Sequence, residues 1–140
     1  MDGELYYGAA YTGGEEQYTH QSSATIAGPD NDFMERDFDL NEQLIKNKTA
    51  TYFFRMNGDS MQGAGIFNGD TLIVDRSAKA ANGKVVVAVL NGELLVRRLE
   101  KNFNKIRLVP ETNRLSPIDI DPSGAEFSIW GVVTFVVHAV

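Results

Sequence analysis

Beyond residue 50 the chain reads as short apolar runs broken by turn residues, whereas residues 1–31 keep neither a helical nor a strand period. Tyr52–Met56 is aromatic and strand-like, and Asp70–Asp75 (DTLIVD) is a short apolar strand. Lys84–Leu90 (KVVVAVL) and Glu93–Glu100 (ELLVRRLE) flank Asn91-Gly92. Asn-Gly between two apolar runs predicts a two-residue type I′ hairpin, because both central residues need positive φ. Lys105–Val109 predicts another strand. Phe127–Val137 (FSIWGVVTFVV) predicts a long one, with Gly131 at a bulge or a point of close approach. Alternation along it puts Ile129, Gly131, Val133, Phe135 and Val137 toward the core. Trp130, Val132 and Val136 make the opposite face apolar as well, which implies cover by a second copy of the chain. One helix is expected over 39–48, with Asp39 as N-cap and Glu42 completing a capping-box pattern. Leu40, Leu44 and Ile45 would share its apolar face. The fold class these elements predict is mostly β: a compact, bent β-sheet domain with an irregular N-terminal arm and one short helix.

Charge divides the chain at about the same place as pattern does. Residues 1–50 hold 10 acids and 3 bases, a balance of −7, while residues 51–140 hold 9 acids and 10 bases. Residues 1–35 contain no Lys or Arg. The expected division is an acidic arm over 1–31, mobile or docked, and one domain over 32–140. Tyr6, Tyr7, Tyr11 and Tyr18 make the arm stickier than a plain linker. A DNA-reading module is not expected in it, since phosphate neutralisation needs Lys or Arg. Nor is a secretory signal, which needs a basic start and an apolar stretch. No apolar run is long enough to predict a membrane span. With no Cys in the chain, disulfides, thiol nucleophiles and thiolate metal sites are excluded, and a reducing cytoplasm is the expected location.

The chemistry-bearing segment is Gly58-Asp59-Ser60-Met61, just after an aromatic strand and just before the Gly-rich turn Gln62-Gly63-Ala64-Gly65. By itself Gly-Asp-Ser is a turn sequence. Its context is more specific: Asn68-Gly69-Asp70 and the apolar run Leu72-Ile73-Val74-Asp75 follow. Next come the hairpin over 83–99, then Leu108-Val109-Pro110, Asn113 and Ser116-Pro117-Ile118, and finally Trp130-Gly131-Val132-Val133. In that order, over about residues 32–138, these motifs resemble the serine peptidase domain of the UmuD, LexA and phage-repressor family (S24). The stretch Asp32–Asn41 looks most like the UmuD branch.

The resemblance implies a fold of the LexA and signal-peptidase type. It also implies a serine nucleophile, activated by a neutral lysine, that cuts the chain's own N-terminal arm at an Ala-Gly or Cys-Gly bond. A RecA filament on single-stranded DNA promotes that cut, and UmuD-like members act as homodimers with an error-prone Y-family polymerase. Ser60 falls on the nucleophile. Gly58, Asp59 and Met61 would support its turn, and the Ser60 N–H would serve as oxyanion donor. The scissile bond would be Ala27-Gly28, preceded by Thr25-Ile26 and followed by Pro29. At the base position this chain carries Arg97, within Leu95-Val96-Arg97-Arg98-Leu99. Neither Lys84 nor Lys101 matches that position. A desolvated lysine can lose its proton and act as a base. Arginine stays charged and accepts no hydrogen bond. Self-cleavage is therefore expected to be impaired.

Alternation places Arg97 with Leu95 and Leu99, where a half-buried cation needs an acidic or carbonyl partner. Arm acids such as Glu15, Glu16, Asp30 and Asp32 are expected near Arg97 and Arg98. His20 and His138 stand alone, without an Asp or Cys pattern around them, and His138 reads as a packing or surface residue. No phosphate loop or ligand cluster implies a cofactor or a metal. The functional expectation is a UmuD-like accessory protein of SOS mutagenesis. It acts as a homodimer with RecA and polymerase partners and has no sequence-specific DNA binding of its own. The competing readings are an active self-cleaving peptidase, the C-terminal domain of a LexA-like repressor, and a signal-peptidase relative.

Overall fold

Eight antiparallel strands form one continuous sheet in a computed structural model that describes residues 3–13, 39–124 and 126–140. The strands are β1 (Leu5–Ala10), β2 (Thr51–Met56), β3 (Thr71–Asp75), β4 (Val85–Leu90), β5 (Glu93–Asn102), β6 (Lys105–Val109), β7 (Ile118–Ile120) and β8 (Phe127–Val137). Their order across the sheet is β1-β2-β3-β8-β4-β5-β6-β7. Among the described residues the one α-helix is α1 (Leu40–Leu44), shorter than the expected 39–48. Asp39 caps it by accepting the Asn41 N–H at 3.0 Å. The helix stops at Ile45, whose backbone turns extended and whose side chain is buried, while Leu40 stays exposed.

The apolar run of β4 is explained by a sheet that bends over on itself. Val86 and Ala88 belong to one apolar cluster with Leu99, Leu108 and Val132. Val87 points the other way, into a cluster with Leu5, Phe54, Met56, Met61, Leu72, Val74 and Val96. Both faces of β4 are therefore covered, which an alternating apolar-polar strand could not tolerate. The β4–β5 connection is the expected hairpin: Leu90 pairs with Glu93, and Asn91 and Gly92 have φ of 50° and 85°.

The inward face of β8 differs from the alternation read along it. Trp130, Val133 and Val136 pack against the first cluster, while Phe127, Ile129 and Val132 pack with the second. Phe135 and Val137, expected in the core, are 38 % and 49 % exposed. The cause is a pair of bulges. Register skips Trp130 where β8 meets β4, and skips Thr134 where it meets β3. Each extra residue turns the strand over and moves the apolar positions by one. Gly131 does sit at a close approach, since a Cβ there would lie 2.7 Å from Cγ1 of Val74.

Two strands carry no sequence period that announces them. β7 is three residues long, and β1 lies inside the acidic arm. β1 pairs with β2 from Leu5↔Met56 to Ala10↔Tyr52, with a bulge at Gly8. The arm thus begins as an edge strand of the sheet. Residues 14–38, which include Ala27, Gly28, Glu15, Glu16, Asp30, Asp32 and His20, lie outside the described residues.

Asp75 ties the β3 end to the segment after α1. Its buried carboxylate accepts the Asn47 side-chain amide at 2.7 Å, the Ser77 hydroxyl at 2.6 Å and the Ser77 N–H at 2.8 Å. Burial alone would raise its pKa, but the hydrogen bonds from Ser77, Asn47 and Ala78 outweigh it and hold the group below its ordinary 3.8. A depressed folded-state value means the stabilisation is complete above about pH 5 and is lost as pH falls through the folded pKa. Denaturant titrations between pH 6 and 2.5 should show a steeper acid loss for wild type than for Asp75→Asn. Parallel curves would show that Asp75 is not the titrating group.

Candidate functional site

The turn that carries Ser60 is built from backbone conformations that its sequence selects. β2 ends at Met56, and Gly58 follows with φ of 120°, a region an L side chain avoids. The Gly58 N–H is held by Oδ1 of Asn68 at 2.8 Å. Met61 is fully buried in the first apolar cluster and anchors the turn from beneath. From the far side, the Glu111 N–H donates to the Ser60 carbonyl and the Gly63 N–H to the Glu111 carbonyl, both at 2.8 Å. Asp59 faces outward and forms an ion pair with Arg114. The turn is thus held at Gly58, at the Ser60 carbonyl and at Met61, while the Ser60 hydroxyl has no hydrogen-bond partner among the described residues.

Arg97 lies on β5, 6 % exposed. Its Nη1 donates to both carboxylate oxygens of Glu4, at 2.8 and 2.9 Å, and to the Val96 carbonyl at 2.8 Å. Oε1 of Glu4 also accepts the Val96 N–H at 2.7 Å. The acidic and carbonyl partners that a buried guanidinium needs are therefore Glu4 and Val96. Arg98 pairs with Glu111 instead. On β5, Arg97 is thus clamped by the arm and Arg98 by the loop that braces Ser60.

Among the described residues, two buried side-chain atoms lack any hydrogen-bond partner: Oγ of Ser60 and Nε of Arg97. Native proteins rarely leave such groups unpaired, because each unsatisfied buried polar atom costs about 1–3 kcal/mol. A serine kept for structure would be satisfied. Removing this hydroxyl should then cost nothing: Ser60→Ala is expected to leave stability unchanged or raise it by up to about 1 kcal/mol. A loss above about 1 kcal/mol in urea denaturation would mean the hydroxyl has a structural partner after all.

Among the described residues no side chain is hydrogen-bonded to that hydroxyl. Lys84 and Lys101 are exposed. His138 is engaged with the buried Asp70, Nδ1 to Oδ1 at 2.6 Å, and stacks near Phe67 with ring centroids 5.2 Å apart. His138 is an exposed packing residue, as read from sequence, and is also the partner of a buried carboxylate. Asp70 in turn accepts the Phe67 N–H and closes the loop behind the Ser60 turn. An open cleft of about 420 Å³ lies along β1 and β2, lined by Tyr6, Tyr7, Arg55, Asn57 and Asn68, and neither Ser60 nor Arg97 lines it. No group of metal-ligating side chains occurs among the described residues, and none of their helices is long and apolar enough to cross a membrane.

Glu4, Glu111 and Arg114 were not singled out from sequence. Each is an unremarkable charged residue whose partner lies far along the chain, 93 residues away for Glu4 and Arg97. No local pattern announces such a pair.

The model of the Peptidase S24-like family matches residues 16–134. Protein ImpA of Salmonella typhimurium is 34% identical over 143 residues, covering 96% of this chain and 94% of ImpA. Protein MucA of Escherichia coli is 36% identical over 84% of this chain and 80% of its own length. The LexA repressor of Glaesserella parasuis is 36% identical over 76% of this chain but only 50% of the repressor.

Proposed function

The chain belongs to the S24 peptidase-like family, and from that premise we propose that it is a UmuD-like accessory protein of SOS mutagenesis whose self-cleavage is impaired at Arg97. It acts as a homodimer that presents itself to a translesion polymerase and to RecA. Ser60 is the nucleophile, Ala27-Gly28 the bond it would cut, and the Ser60 N–H the oxyanion donor. The observation that carries the reading is the pair of buried, unpartnered atoms at the nucleophile and base positions, one of them on a guanidinium. A hydroxyl without an acceptor for its proton attacks slowly, and arginine cannot be that acceptor.

The match to ImpA takes in 96% of this chain and that to the LexA repressor 76% of it, which favours an accessory protein over a repressor. Exposed Phe135 and Val137 on β8 support the homodimer. The test is intact-mass measurement of the wild-type chain with and without RecA filament on single-stranded DNA, beside Arg97→Lys. The expected result is an intact wild-type chain and a fragment beginning at Gly28 from the variant. Equal rates of fragment formation would overturn the impairment and favour an active peptidase.

A further inference from the structure

Residues 3–11 precede the Ala27-Gly28 bond, yet they are built into the sheet of the domain that follows it. The attachments run the length of the segment. The Gly3 carbonyl accepts the Asn57 side-chain amide and the Glu4 carbonyl accepts the Asn57 N–H, both at 2.8 Å. β1 then pairs with β2 over five registered positions, and the Tyr11 N–H closes the far end on the Thr51 carbonyl at 2.8 Å. Leu5 is buried in the first apolar cluster. Tyr7 packs edge-on against Phe54 at 5.4 Å, and Tyr11 against Phe53 at 6.2 Å. Glu4 joins Arg97 at the start of the strand. None of these contacts needs the covalent connection through residues 14–38.

We propose that the edge of β2, closed at one end by Arg97, is a strand-binding site whose ligand is the chain's own Gly3–Tyr11 segment, and that it holds this segment after residues 14–38 have been cut. Its ligand class is an extended peptide with a carboxylate aligned to Arg97 and an apolar residue next to it, here Glu4 and Leu5. This is strand addition with side-chain selection: main-chain bonds supply the attachment, and a buried ion pair sets register. The consequence is that cleavage at Ala27-Gly28 yields a two-piece protein with a capped sheet edge. Release of the segment exposes β2 as a free edge, which is a pairing surface for another acidic strand. The inference rests on the proposed function only for the place of the natural cut.

The test makes the cut independently of Ser60. A recognition sequence for a site-specific protease is inserted after Ser23 in the Ser60→Ala chain, so that failure of the peptidase reading leaves the result standing. After digestion, size-exclusion chromatography and native mass spectrometry at micromolar concentration should find the N-terminal fragment still bound. Glu4→Gln in the same chain should raise its release rate about 10- to 100-fold, as loss of a charged hydrogen-bonding partner predicts. Excess synthetic peptide of residues 1–13 should displace the bound fragment from the otherwise unaltered cut protein, and the same peptide carrying Glu4→Lys should not. Immediate separation of the fragment overturns the proposal. So does equal displacement by the two peptides, since the site then does not read the carboxylate.

Discussion

The chain carrying Arg97→Lys together with Glu4→Gln is expected to cut itself about 10²–10⁴ times faster than wild type, the range that a positioned general base supplies. Both changes are needed for the full effect. An amine beside the Glu4 carboxylate is held in its charged form, which is useless as a base, whereas burial without that carboxylate favours the neutral amine. Arg97→Lys alone should therefore fall between wild type and the double variant. Its rate should rise with pH as the amine deprotonates, while the arginine chain lacks that limb because its guanidinium keeps its proton. The measurement is a time course of intact mass from pH 6 to 10, following the product that begins at Gly28. Adding Ser60→Ala to the double variant should abolish the product. Equal rates in wild type and the double variant would remove Arg97 as the cause of impairment.

The second large effect is on stability. Glu4→Ala is expected to cost about 3 kcal/mol, the lower end of what breaking a buried ion pair costs, because the Glu4 side chain keeps 15 % exposure against 8 % for Arg97. The loss has two sources: an uncompensated buried guanidinium and a Val96 N–H without its acceptor. For a chain of this size that is a drop of about 6–12 °C in Tm. Replacing both partners by apolar groups, Glu4→Leu with Arg97→Met, should recover most of it, since desolvation of the pair is then avoided. The coupling is read from a double-mutant cycle in urea. A cost below about 0.5 kcal/mol for Glu4→Ala would mean that Arg97 finds another partner. A substitution far from Ser60 in sequence, in a segment that reads as an acidic arm, thus tests the environment of Arg97.

The contrast between these residues shows where sequence reading succeeds. The Asn91-Gly92 hairpin, the apolar runs of β3, β4 and β6, and the Asp39 cap are local: each element follows from a few adjacent residues and their φ preferences. The ordered motifs around Ser60 are also contiguous, so the family resemblance was legible without coordinates. The face of β8 was not. Its two bulges arise where it meets β4 on one side and β3 on the other, and strict alternation misplaced Phe135 and Val137 as core. β1 was hidden for a related reason. It is an edge strand with one buried side chain, and a strand with so little to bury carries no readable period.

By itself, then, the sequence determined a mostly β domain with a serine turn, an Arg97-Arg98 pair on a hairpin strand, and an acidic arm ahead of them. Only the tertiary structure decided that the arm begins as a strand of the sheet, that Glu4 is the counter-charge of Arg97, and that the Ser60 hydroxyl is buried without a partner among the described residues. The physical reason is range. Turn conformations and strand periods are set by neighbours in the chain. The partner of a buried charge is set by which distant segments the sheet brings together, and here it joins residues 93 positions apart.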